Sequence, residues 1–186
     1  MNQKREQIIQ TTGHLIEKQG YHATGIKQIL AESEAPKGSL YYYFPEGKDE
    51  LVEEAIFCTG NMIARRLQEV MGAHDHAAQA VPAFLRQLSQ HVHEAGYQAG
   101  GPITAVALEA ASTNERLNTA CRQVYQLWQA VIEEKLLASG YSSARSKQLA
   151  SVTIAMIEGA IILSRTERTI TPLLNAAAEL EILLQD

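Results

Sequence analysis

Cysteine is nearly absent: Cys58 and Cys121 are the whole supply in 186 residues. Both fall in helix-like patterns, so neither a disulfide framework nor a four-ligand zinc site is expected, and both read as small core residues. Period-two alternation with β-branched enrichment is missing throughout, which leaves no candidate strand. No run approaches the roughly 18 apolar residues that a bilayer span needs. The polar start, "MNQKREQIIQ", lacks the apolar stretch of a signal peptide. Cytoplasmic residence is therefore expected, with no membrane partner. Also missing are G-x-S-x-G, a P-loop, H-E-x-x-H and a dinucleotide fingerprint, so the chain does not read as an enzyme and no cofactor is expected. His91 and His93 stand two apart on a helix, about 200° around it, and cannot share an ion. His74 and His76 lie in a loop with no cysteine to join them, so no metal is expected.

What is present is helical spacing, in a chain of 46% hydrophobic residues that is long enough for a sizeable core. The pattern predicts about nine helices. The first runs from Gln3 to Lys18 and stops at Gly20. "ATGIKQILAES" gives a short second one, with Thr24 placed to cap its start. Pro36 opens a third in its first turn, and a fourth, about 24 residues long, runs from "KDEL" to Met71. The rest are expected at 80–96, 103–112, 114–139, 144–165 and 171–184. Net charge is −5 overall, yet residues 1–44 carry five basic groups against four acidic, leaving the remainder at −6. Only the first quarter would not repel an anion.

Two short helices joined by a tight turn and braced by a longer one describe a helix-turn-helix unit, whose second short helix enters the major groove. That helix contains "GSLYYYF". With Leu40 at 0° on a helical wheel, Phe44 falls beside it and the two anchor the core. The opposite face carries Gly38 and Tyr42, flanked by Ser39 and Tyr41, with Lys37 at its N-terminal edge. Gly38 lets the backbone approach closely. Ser39 and the tyrosine hydroxyls can donate to phosphate, and the rings can pack on thymine methyls. Tyr43 lies only 60° from the core direction, so both packing and DNA contact stay open for it.

Residues 5–52 resemble the DNA-binding head of the TetR family of bacterial transcriptional repressors. The likeness is carried by the Ile8/Leu15 helix, "GYHATGIKQIL" and "APKGSLYYYFPEGKDEL". "ERLNTAC…YQLWQAVIEEKL" and "AMIEGAIILSRT…TPL" extend it to the LmrA/YxaF-like branch. The resemblance implies operator contacts at Thr24, Lys37, Gly38, Ser39, Tyr41, Tyr42, Tyr43 and Lys48. Two departures stand out: many members have histidine in place of Tyr43, and "FPEGK" holds one residue more than the commoner spacing before Lys48. The chain then divides into a DNA-binding domain (1–47) and a ligand-binding and dimerisation domain (48–186).

The second part must account for its apolar surplus. "SVTIAMIEGAIILS" is apolar nearly all round, so pairing the last two helices with a second copy would bury it. The resemblance implies the same homodimer, reading two half-sites of a palindrome. A pocket for a small hydrophobic or aromatic effector is expected from Phe84, Leu88, His91, Ile103, Val106, Glu109, Tyr125, Trp128 and Met156. Glu109 and Glu158 are lone carboxylates in apolar stretches; each is either a ligand handle or held by a structural partner. Effector binding would shift the fourth helix and release the operator, as the family mechanism implies. An activator of the same fold, or a helical binding module without DNA, are the alternatives.

Overall fold

The computed structural model describes residues 3–185. Among them stand nine helices and no strand: α1 (Gln3–Gln19), α2 (Ile26–Glu32), α3 (Ser39–Tyr43), α4 (Lys48–Gly72), α5 (Ala77–Glu94), α6 (Pro102–Glu109), α7 (Glu115–Ala138), α8 (Ser143–Glu167) and α9 (Thr171–Leu183). They form two compact units. One gathers the described residues up to Met62 with Pro102–Val124, the other Ile63–Gly101 with Tyr125 onward. The expected division at residues 47 and 48 is one of function; packing draws the head together with the first half of α4, α6 and the start of α7.

In the first unit, α1 turns Ile8, Ile9, Thr12, Leu15 and Ile16 inward at steps of one, three and four. This is one stripe of a 3.6-residue helix. Ile8, Ile9 and Leu15 meet Ile29 and Leu30 of α2, Leu40 of α3, Phe44, and Leu51 and Ala55 of α4. Burying each large side chain contributes about 1.5–3 kcal/mol, which is how helices of seven and five residues persist although isolated ones would not. Gly20 ends α1 at φ +87°, a left-handed conformation that glycine takes without strain.

Two expected helix starts are corrected. The residue that caps α2 is Gly25, with no side-chain cap. Thr24 is fully buried, and its hydroxyl donates back to the Gly20 carbonyl at 2.7 Å. Burial favoured closing the preceding turn over capping the next helix. Pro36 does not open α3 either. Its carbonyl accepts from Ser39 N–H at 2.9 Å, so residues 36–38 form a turn and Gly38 precedes the helix.

In the second unit α5 packs against α9 and, less extensively, α8, while α8 also packs on α9. α5 begins at Ala77, earlier than periodicity suggested, because the Ala77 N–H donates to Ser139 Oγ at 2.9 Å. That contact satisfies one of the orphan donors of a helix start. Ser142 caps α8, accepting from the Arg145 N–H. α8 is long and apolar enough by composition to cross a membrane, contrary to the expectation that no stretch would be. It buries Leu149, Ile154, Ile157 and Ile161. Val152, Ile162 and Leu163 stay exposed, as do Leu174 and Ile182 on α9.

Candidate nucleic-acid interface

α3 is one turn and a half long, and its two faces differ sharply. Leu40 and Phe44 are 0% exposed, whereas Tyr41 is 64% and Tyr42 78% exposed. A large aromatic bared to that extent, beside Lys37 and Gly38 that are also exposed, is a surface shaped for contact. Among the described residues nothing lies within 4 Å of where a Gly38 side chain would project. Tyr43 is half-buried and packs on the core cluster. It also meets Tyr42 edge to face, ring centroids 4.8 Å apart.

The unit braces this helix from several directions. Lys4 Nζ donates to the Ser33 and Glu34 carbonyls at 3.3 and 3.1 Å, serving orphan acceptors where α2 ends. Arg5 pairs with Glu54 and lies over the Phe44 ring, 5.1 Å from its centroid. Lys48 is half-buried and turned onto Tyr21: its Nζ donates to the Tyr21 carbonyl at 2.7 Å and stands 4.0 Å above the Tyr21 ring. Loss of hydration lowers the Lys48 pKa, opposed by the nearby charges of Asp49 and Glu109. The Tyr21 hydroxyl donates to Asp49 Oδ1 at 2.6 Å. Burial first, and then Asp49, push the Tyr21 pKa up to about 12.

The other residues singled out in the sequence fall in both units. In the first, Ile103 and Val106 border a void of about 10 Å³, room for one water at most. Glu109 accepts the His22 backbone N–H through Oε2 at 2.9 Å, the kind of structural partner weighed for it above. In the second, Phe84 and Trp128 are buried, Leu88, Tyr125 and Met156 half-buried, and His91 exposed. Tyr125 and Trp128 meet edge to face at 5.5 Å. A separate groove of about 490 Å³ in this unit is lined by His76, Gln79, Tyr141 and Glu181 among others, and none of the expected effector residues borders it. Among the described residues no three His, Cys, Asp or Glu side chains gather as a metal site would require.

Sequence reasoning missed Asn114 and Arg116. Asn114 Nδ2 donates to Asp49 Oδ2 at 2.7 Å; Arg116 donates from Nε to Glu53 at 2.7 Å and from Nη1 to Glu46 at 2.6 Å. These partners lie 63–70 residues apart in sequence, beyond any helical periodicity.

An all-helical chain that presents a short aromatic helix from a helix-turn-helix head is the build of a transcriptional regulator. Residues 8–55 match the bacterial regulatory proteins of the tetR family, and residues 77–179 match the C-terminal domain of LmrA/YxaF-like transcriptional regulators. The HTH-type transcriptional regulator LmrA of Bacillus subtilis (strain 168) is 40% identical over 181 residues, covering 97% of this chain and 96% of the relative. YxaF of the same organism is 38% identical, covering 97% and 95%. In fold, a TetR transcriptional regulator from Legionella pneumophila superposes with a TM-score of 0.87 at 22% identity, over 100% of this chain and 98% of that one. The chain belongs to the TetR family of transcriptional regulators, in its LmrA/YxaF-like branch. Its relatives are regulators and not enzymes.

Proposed function

We propose that this protein is a cytoplasmic, ligand-responsive repressor that binds a palindromic operator as a homodimer and leaves it when a small hydrophobic molecule binds. The observation that carries this reading is the split of α3: Leu40 and Phe44 are wholly buried while Tyr41 and Tyr42 are bare. Lys37, Gly38, Ser39, Tyr41 and Tyr42 form the operator-facing surface, with the exposed edge of Tyr43 beside them. Lys48 reaches phosphate by leaving the Tyr21 carbonyl, a move that restores its hydration. Thr24, whose hydroxyl is spent on Gly20, shapes the turn and has no free donor for phosphate.

The exposed apolar stripes of α8 and α9 support dimerisation through these helices. For the effector, the aromatic and apolar groups of the second unit, Phe84, Leu88, Tyr125, Trp128 and Met156, are the expected contacts, with His91 at the edge. Ile103 and Val106 are packed too tightly in the first unit to take part without rearrangement, and Glu109 is committed to His22.

A gel shift with an inverted repeat taken from beside the protein's own gene tests the reading. Wild-type protein should bind, Tyr42→Ala should weaken binding about tenfold or more, consistent with the ~1–3 kcal/mol of one good base contact, and a hydrophobic inducer should release the complex. Undiminished binding by the Tyr42 variant would sink the assignment of α3.

A further inference from the structure

The approach to α4 is a local concentration of acid. Between residues 46 and 53 stand Glu46, Asp49, Glu50 and Glu53 against one cation, Lys48. This stretch directly follows the helix read as operator-facing, so a free carboxylate there would repel the phosphates that the head must approach. None of the four is left free. Glu50 accepts the Glu46 backbone N–H at 2.8 Å. Asp49 accepts from the Tyr21 hydroxyl with one oxygen and from Asn114 Nδ2 with the other, at 2.6 and 2.7 Å. Glu46 and Glu53 share a single guanidinium, that of Arg116.

Asn114 and Arg116 both come from the turn and first residues after α6, a segment that belongs to neither short helix of the head. The same segment begins at Glu109, whose carboxylate takes the His22 N–H and whose carbonyl lies 3.2 Å from His22 Nε2. Residues 109–116 therefore clasp the head at three points. Two points fall on the acidic stretch and one on the turn before α2. Arg116 cannot lose its charge in the accessible pH range and offers two donors in a fixed fork, which suits it to hold two carboxylates at once.

We propose that Arg116 is a positioning residue for operator binding: by bridging Glu46 and Glu53 it offsets one of their two negative charges, holds both carboxylates in place and so weakens the repulsion of DNA phosphate by the acidic stretch that follows the recognition helix. The proposal rests on reading α3 as the operator-facing helix. It gives the segment after α6 a chemical influence on affinity besides any rigid shift of the head. Displacing the segment by a few ångströms would release two carboxylates beside the DNA.

The test uses the full-length protein and its operator, with binding followed by fluorescence anisotropy from low to physiological salt. Arg116→Ala should weaken binding roughly three- to tenfold at low salt, the deficit shrinking as screening grows, because all three charges keep contact with solvent. Adding Glu46→Gln and Glu53→Gln to Arg116→Ala should restore affinity to within about twofold, since the two carboxylates that lost their partner are then uncharged. Should the triple variant remain as weak as Arg116→Ala, Arg116 acts through structure alone and the proposal is overturned. If Arg116→Ala does not fold, the Glu46→Gln/Glu53→Gln double variant decides: it should bind DNA at least as tightly as wild type, and weaker binding refutes the idea. Tyr42→Ala separates the two readings. If it binds normally, the operator-facing assignment fails; if it loses binding while the Arg116 series stays flat, only the present proposal fails.

Discussion

Thr153 of α8 is fully buried, and among the described residues its hydroxyl has no hydrogen-bond partner. A buried hydroxyl left unpaired costs about 1–3 kcal/mol, while replacing it with an apolar group of the same shape removes that cost. Thr153→Val should therefore raise stability by about 1 kcal/mol, read as a higher thermal midpoint, with operator affinity unchanged; a lower midpoint would mean that the hydroxyl has a partner in solution. Tyr21 makes a second prediction at this scale. Its pKa is raised to about 12 by burial and by Asp49, so folding favours the protonated phenol. That contribution is whole below the ordinary tyrosine range near pH 10 and disappears as pH climbs through 12. Denaturation across pH 9 to 12 should show wild type losing stability faster than Tyr21→Phe, which has no phenol to ionise; parallel curves would contradict it. Single residues were also where the sequence was most readable. The wheel around Leu40 separated Phe44 from Tyr41 and Tyr42 because α3 is helical throughout and has one core to face. It could not show that Lys48 folds back onto Tyr21, since that contact depends on how a turn and a distant helix start are brought together.

At the scale of elements, periodicity identified all nine helices and lost accuracy at their ends. The misjudged starts at Thr24 and Pro36 have different causes. A good capping residue is only a candidate until burial decides where its side chain goes, and the core claimed Thr24; Pro36 is exposed and opens a turn ahead of α3. Glycines inside helices carry a signal that periodicity does not. Gly60 of α4 faces Val124 of α7, and a Cβ there would come within 2.5 Å of a valine methyl. Helix propensity alone favours alanine over glycine by about 1 kcal/mol. The clash should outweigh it, because overpacking a closed contact costs about 1–3 kcal/mol. Gly60→Ala should therefore lower the denaturation midpoint, and Gly60→Ala with Val124→Ala should recover most of the loss. A single variant as stable as wild type would show that α4 and α7 have room to part. The acidic stretch at 46–53 was visible in the sequence as charge near a helix start; Arg116, about 60 residues on, was not visible as its partner.

For the whole molecule, the decisive surface is the one that the single chain leaves uncovered. On α8 the exposed positions Val152, Ala155, Gly159, Ile162 and Leu163 recur at helical spacing, and on α9 Leu174, Ala178 and Ile182 do the same. The sequence showed only that "SVTIAMIEGAIILS" was apolar all round; the fold shows which part of it the chain buries for itself. What remains is an apolar stripe on each helix, suited to a second copy, as the proposed homodimer requires. Gly159 lies on the α8 stripe, and among the described residues a side chain there would meet nothing within 4 Å. Gly159→Leu thus separates folding from assembly. Within one chain it fills open space and gains helix propensity, so thermal stability of the isolated fold should hold or rise by about 1 kcal/mol. Against a second copy the added side chain would block close approach of the helices, and sedimentation should show monomer for the variant where the proposed assembly predicts dimer for wild type. In the proposed dimer two heads engage two half-sites together, so losing the dimer removes the gain from their shared binding. Operator affinity should then fall by a factor on the order of 100, while helix content is kept. Ile162→Glu should do the same by placing a charge in the face. A Gly159→Leu protein that still sediments as a dimer and binds DNA normally would move the interface away from α8.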